Sequence, residues 1–357
     1  MKRIVYLLAV GLVCWSCGKD DMPEPVIMFS SDFEGKFAFV NSSLYSISSN
    51  LYTLDRTGVI QLTHEQNDGF TFKSNAKWLN NGERIIYMTT STCFLCPPNG
   101  SLTLVKTDGS DQQTLFDPFN LWINATVSND LKYATITRQI TTMTDSVLNR
   151  TFIFSVDDTL HTTIIDSIDG ASHVPQWSPG SDKIAFTSEE GTSGELVIYN
   201  ILTQEKISLL TYDDVNSGVL SYDWSYQGDK IAFIWNKDVY VAHTDGSNIE
   251  NLTSSPNFEN LVAWSKTSDL LAYNQYTQNF EKSRIIVYDF TDQTQSSLDS
   301  VQRQNGTITQ IQWSADNNTI AFRYCCDLEG IFLIDRDGAN LRQIYDKGVT
   351  GFDWYSE

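Results

Sequence analysis

Histidine is scarce in this chain, with four among 357 residues, at positions 64, 161, 173 and 243. A metal centre that gathers several histidines therefore has no obvious supply. Basic residues are few as well: 24 lysines and arginines stand against 44 aspartates and glutamates, a formal net charge of −20. Such a surface repels nucleic acid and anionic lipid, which argues against nucleic-acid and acidic-membrane partners. The acidity reads first as solubility and second as room for a bound cation. No stretch approaches the roughly 20 apolar residues that a membrane-crossing helix needs. A G-x-S-x-G nucleophile elbow is also missing, so serine-hydrolase chemistry has no seat. The expected catalytic residues, metal ligands and cofactors are accordingly none.

The first residues carry a different message. Lys2 and Arg3 give a positive start, Ile4 to Val13 an apolar run of ten, and Ser16 a small residue before Cys17. That is the order of a secretory signal, and the run is too short for a permanent span. A cysteine just past such a run resembles a lipoprotein box, which implies that Cys17 is acylated; plain secretion is the alternative. Residues 1–16 are read as signal peptide, 17–35 as lipidated cysteine and linker, and 36–357 as one domain. Cys17-Gly18-Lys19-Asp20-Asp21 looks like a short tag that sends lipoproteins to the outer face of the outer membrane, with a solvated linker and the periplasmic face as alternatives. Loss of residues 1–16 removes two basic and no acidic residues, leaving a formal charge of −22.

What dominates the rest is a repeat, and a fixed period decides the fold. The unit W-S-x5-[IL]-A-[FY] occurs as WSPGSDKIAF from Trp177, WSYQGDKIAF from Trp224, WSKTSDLLAY from Trp264 and WSADNNTIAF from Trp313, with a looser WLNNGERIIY from Trp78. The aliphatic residue seven places on is Ile85, Ile184, Ile231, Leu271 or Ile320. This spacing predicts a strand, a tight polar turn and a returning strand, followed by two more short strands. Between the last two lie Thr107-Asp108-Gly109-Ser110, Thr244-Asp245-Gly246-Ser247 and Arg336-Asp337-Gly338, read as two-residue Asp-Gly hairpins. These aspartates lack the spacing of a calcium loop.

Four strands every 40 to 50 residues is the sequence form of a propeller blade. WSPGSDKIAF followed by ELVIYN and ISLLT resembles the TolB-like (WD40-like) propeller repeat, over residues 36 to 356. The family's namesake has six blades, whereas second strands counted here number seven: Phe37–Val40, Arg84–Met88, Lys132–Thr137, Lys183–Thr187, Lys230–Ile234, Leu270–Asn274 and Thr319–Arg323. The fold expected is therefore all-β, a β-propeller of four-stranded blades, seven in number with six or eight as alternatives. Blade three is degenerate, with Val127-Ser128 in place of Trp-Ser. The first blade lacks a tryptophan strand, and Gly351-Phe352-Asp353-Trp354 is such a strand with nothing after it. Pairing of the two closes the ring, and the tryptophans then pack between blades as core.

Loop length varies in one place. From the repeat tryptophan to the centre of the third strand is 16 residues at Tyr240, 22 at Tyr199, 24 at Tyr288 and 26 at Leu104. The second-to-third-strand loops, such as Thr89–Ser101, Arg138–Arg150 and Gln275–Ser283, share one face with the connections between blades. Variable loops on a rigid scaffold are the usual place for recognition. Candidate binding residues there are Phe70, Phe72, Phe119, Tyr212, Asp213, Asp214, Phe258, Tyr276 and Phe280, where exposed aromatics beside aspartate suit a sugar ring or a protein partner. The same aromatics could instead cap the core beneath their loops. Cys93, Cys96, Cys325 and Cys326 fall in equivalent loops of blades two and seven; an oxidising exterior favours disulfides, within a blade rather than across.

Two classes of function stand. One is a non-catalytic envelope lipoprotein, tied to the membrane only by its N-terminal lipid, that offers its loop face to a protein or glycan. The other is a metal-dependent polysaccharide lyase or hydrolase with a site near the ring axis, using Asp223 and Asp353; these would otherwise line a water-filled channel.

Overall fold

The computed structural model describes residues 28–29, 32–41, 49–64, 70–79, 82–93, 96–120, 122–141, 147–156, 162–171, 174–190, 192–214, 218–277, 282–304, 307–325 and 330–356. All regular structure among them is β. After β1 (Met28–Phe29) come β2 (Lys36–Asn41), β3 (Asn50–Asp55) and β4 (Gly58–Gln61) of blade 1. Blade 2 is β5 (Phe70–Trp78), β6 (Arg84–Cys93), β7 (Cys96–Lys106) and β8 (Gln113–Asn120); blade 3 is β9 (Trp122–Val127), β10 (Tyr133–Thr141), β11 (Val147–Val156) and β12 (Thr162–Asp169). Blade 4 is β13 (Gln176–Trp177), β14 (Lys183–Glu190), β15 (Ser193–Asn200) and β16 (Lys206–Tyr212); blade 5 is β17 (Tyr222–Trp224), β18 (Lys230–Trp235), β19 (Asp238–His243) and β20 (Glu250–Asn251). Blade 6 is β21 (Phe258–Trp264), β22 (Leu270–Tyr276), β23 (Lys282–Asp289) and β24 (Thr294–Gln304); blade 7 is β25 (Thr307–Trp313), β26 (Thr319–Cys325), β27 (Ile331–Asp335) and β28 (Arg342–Tyr345). The last strand, β29 (Val349–Tyr355), pairs with β2 as the inner strand of blade 1. The count is seven, closed by the C-terminal strand on the N-terminal blade as the sequence predicts.

The serine of the repeat has a mechanical task. Ser128, Ser178, Ser225 and Ser314 are buried, and each Oγ accepts the N–H of the residue five places on, at 3.0 to 3.1 Å. Each hydroxyl donates in turn to an aspartate of the same turn, at 2.6 to 3.0 Å. A local side-chain acceptor thus fixes the first hairpin of the blade. Blade 3 keeps this device at Ser128 although Val127 replaces the tryptophan.

The Asp-Gly turns differ from the two-residue form expected. Gly109 donates its N–H to the Lys106 carbonyl and Lys106 its own to the Ser110 carbonyl, with the same pattern at His243–Ser247 and Asp335–Ala339. Only the glycines take positive φ, 82°, 86° and 86° at Gly109, Gly246 and Gly338. These are three-residue loops, a turn followed by a left-handed glycine. The aspartates bend back instead: Asp108, Asp245 and Asp337 accept the N–H two residues on, at 2.9 Å. That local acceptor makes the right-handed conformation the better one for aspartate.

The core lies between adjacent sheets. Trp224 of blade 5 packs with Ala185, Leu196 and Ile198 of blade 4, and Trp313 of blade 7 with Ala272, Ile285 and Val287 of blade 6. Closure uses the same contacts: Phe37 stacks on Trp354 with ring centroids 4.9 Å apart and meets Phe352 edge-on at 5.8 Å. Within the segment read as linker, β1 pairs in parallel with the start of β28, giving blade 7 a fifth, outermost strand. Phe33 is buried edge-on against Phe37 at 5.6 Å.

Candidate functional site

The topology gives the ring two unlike faces. The lower one carries the short turns just described, together with the entry of the N-terminal segment: Met28 pairs with Arg342 beside the β27–β28 turn, and Lys36 with Tyr355. The upper one carries the second-to-third-strand hairpins, whose heights differ. In blade 5 the ladder runs from Ile231 to a last pair, Trp235 with Asp238, and turns through Asn236 and Lys237 at φ 48° and 73°. In blade 2 it runs from the equivalent Ile85 to Cys93 opposite Cys96. The four extra residues raise the blade 2 hairpin by about 13 Å at about 3.3 Å per residue. Blade 3 is nearly as tall, with Thr141 opposite Val147 as its last pair. Blades 2 and 3 therefore form a wall, and blade 5 a low side across the axis.

The predicted face residues divide in their placement. Phe72 is exposed on β5, and Asp213 and Asp214 are exposed after β16. Phe258 is half-buried, with the Lys237 ammonium 4.1 Å above its ring. Tyr212 and Tyr276 are buried, beneath the face rather than on it. Phe70 opens β5 and Phe119 lies in β8, with side chains outside the described residues, as are those of Cys93, Cys96 and Cys325; Phe280, Cys326 and Cys17 fall outside them altogether.

On the axis, the inner strands enclose a cavity of about 840 Å3 lined by Lys77, Asp223, Lys266, Gln310, Gln312 and Asp353, among others. The two carboxylates that the sequence brought forward are already engaged. Asp353 of blade 1 accepts the Trp78 N–H of blade 2 at 2.7 Å and the Gln312 side-chain amide of blade 7 at 2.5 Å. Asp223 of blade 5 accepts the Trp264 N–H of blade 6 at 2.7 Å and its neighbour Trp224 N–H at 3.0 Å. Both act as clips between blades. Burial pushes Asp223 up to about 6, with those backbone donors and the two lysines opposing it.

A second polar cluster, unread in the sequence, sits under the upper face between blades 5 and 6. Glu259 is 1% exposed on β21 and accepts the Gln275 side-chain amide at 2.9 Å. The Thr253 hydroxyl lies 3.3 Å from Glu259 Oε2 and 3.2 Å from Asp238 Oδ1, and its one proton serves only one of them. The Arg284 guanidinium takes the Gln275 carbonyl at 2.7 Å. Burial, with Asp238 adding to it, pushes Glu259 up to about 7. The unfolded chain releases this proton near 4.5 and the folded chain near 7, so the folded state holds more protons between them. Stability should therefore fall as pH rises through that window. Denaturant midpoints at pH 5 and pH 8 are expected to differ less in Glu259→Gln than in the parent chain; equal slopes would remove Glu259 as the cause.

No protein-family model matches the chain, and no curated protein matches its sequence. Its fold has many solved relatives. TolB from Acinetobacter baumannii matches at 13% identity over 92% of this chain and 81% of that one, with a TM-score of 0.51. An oligogalacturonate lyase in complex with manganese matches at 11% over 88% and 86%, with a TM-score of 0.61. The β-propeller domain of the Trilobed protease from Pyrococcus furiosus, described as having an open velcro topology, matches at 14% over 79% and 88%, with a TM-score of 0.57. At such identities the likeness is one of fold. The class is a seven-bladed, strand-closed β-propeller. Within that class its fold is similar to that of TolB as well as to the lyase and the protease propeller.

Proposed function

We propose that the chain is a non-catalytic cell-envelope lipoprotein whose propeller binds or scaffolds a protein or glycan partner across its upper face. The carrying observation is the uneven height of that face on an otherwise regular ring. Repeat packing has no use for a hairpin that outgrows the one across the ring by about 13 Å, and binding does. The metal-dependent lyase reading relies on Asp223 and Asp353, whose oxygens are occupied by peptide and amide donors of neighbouring blades.

Cys17 is the proposed lipid attachment. The chain enters the ring on the lower face, so a tether from Cys17 to Met28, at most about 40 Å long when extended, would turn the tall hairpins away from the outer membrane. Incorporation of labelled fatty acid, lost in Cys17→Ala together with membrane retention, is the expected result. Protease added to whole cells should then remove the protein; full protection would assign the periplasmic face.

Recognition is tested by shortening the wall. Joining Thr89 to its partner Ser101 through Asn-Gly keeps the blade 2 core and removes the tall tip. Crosslinking in intact cells, with glycan arrays for the purified protein, should lose the partner signal at least tenfold while the melting midpoint barely moves. Undiminished capture would sink the reading. Cys93 and Cys96 are opposed in an antiparallel ladder, where Cα atoms lie about 4.5 to 5.5 Å apart, within disulfide reach. Peptide mapping without reductant is expected to recover them linked.

A further inference from the structure

Lys77 and Lys266 occupy the axial cavity from opposite sides. Lys77 precedes the tryptophan of blade 2, in the slot that Asp353 and Asp223 fill in blades 1 and 5; Lys266 lies two residues past the tryptophan of blade 6. Each ammonium has three donors. Lys77 spends one on the Asn129 side-chain oxygen at 2.9 Å, and Lys266 one on the Trp354 carbonyl at 2.6 Å. Among the described residues no carboxylate oxygen lies within 4.0 Å of either. The cavity around them is larger than their own packing requires.

The electrostatics point the same way. Desolvation within the ring lowers both ammonium groups from the ordinary lysine range, although Lys266 keeps exposed surface. Asp353 and Asp223 oppose that shift in both, and Lys266 adds to it in Lys77, so the four charges lie close enough to sense one another. The carboxylates direct oxygens to peptide donors of the blade walls, which leaves the lysines' spare donors as the unspent charge of the cavity.

We infer that the axial cavity is an anion site, in which a carboxylate or phosphate group of a small molecule is held between Lys77 and Lys266. The anion supplies the acceptors that the ring omits. This site is separate from the upper-face wall, and its test uses the purified chain without any partner, so either reading can fail alone.

The probes are inorganic phosphate and acetate. The chain is labelled with 13C-lysine, which leaves every ammonium donor in place, and the side-chain methylene resonances of Lys77 and Lys266 are assigned by their loss in Lys77→Met and Lys266→Met. Phosphate or acetate is expected to shift these two resonances saturably, and the double variant to lose at least tenfold in affinity by calorimetry. Lys347→Met, at an exposed turn, should bind as the parent does. Preference between the two probes distinguishes a phosphate-bearing from a carboxylate-bearing ligand. Non-saturating shifts shared by all lysines, or a double variant that binds like the parent, would overturn the inference. Should the double variant fail to fold, the resonances of the parent chain still decide it.

Discussion

A chain ending at residue 348 is expected to show no cooperative unfolding transition. Removing β29 strips β2 of its inner partner along six registered pairs, from Lys36–Tyr355 to Asn41–Val349. It uncovers Phe37, which loses Trp354 and Phe352, and Trp78, which loses Tyr355. Val349, Phe352 and Trp354 are themselves 7%, 4% and 2% exposed. Burial of each contributes about 1.5 to 3 kcal/mol. Two polar clips go with them: Asp353 to Trp78, and Gln310, which pairs with both the carbonyl and the N–H of Phe352. Against the 5 to 15 kcal/mol that typically separates folded from unfolded, losing three buried side chains and opening the ring removes most of the margin. A melt followed by circular dichroism and light scattering checks this. A peptide of residues 349–357 added in trans should restore a transition. A truncated chain melting within a few degrees of the parent would show that closure is not what holds the ring.

Closure was legible because two incomplete halves of one blade stand at the two ends of the chain, and a period reveals what is missing from it. The repeat tryptophan and the Ile-Ala-Phe strand were legible for the same reason: each blade poses the same packing problem. The serine was visible as a letter, but its bond to the backbone five residues on belongs to turn geometry. What stayed hidden is what the blades do not share. Lys77 stands where blades 1 and 5 have aspartate and blades 4 and 7 glutamine, and its meaning depends on Lys266 from a blade four places on. Glu259 falls outside the repeat letters, so nothing marked it as buried. The wall of blades 2 and 3 was foreseen only as loop length; the structure turns that length into paired strand, and so into height. Met28–Phe29 is too short a run to betray its pairing with Arg342–Gln343.

Trp313→Ala should be among the most damaging single substitutions and should exceed Trp177→Ala. Both tryptophans occupy the same slot of the repeat, so sequence alone ranks them equal. Trp313 is 1% exposed, packs across the blade 6–7 boundary, and its indole N–H donates to the Ala263 carbonyl at 3.0 Å. Trp177 is 7% exposed, and its indole N–H is buried without an acceptor among the described residues. Truncating a buried tryptophan costs about 3 to 5 kcal/mol through lost burial and the cavity left behind. At Trp313 the Ala263 carbonyl also loses its donor, adding about 1 kcal/mol. At Trp177 the substitution removes an unsatisfied donor along with the ring, which offsets part of the loss. The expected ordering is therefore a larger drop in denaturant midpoint for Trp313→Ala by at least the worth of one hydrogen bond. Equal drops would mean that ring volume alone sets the stability of each blade boundary, and that the indole N–H contacts are incidental.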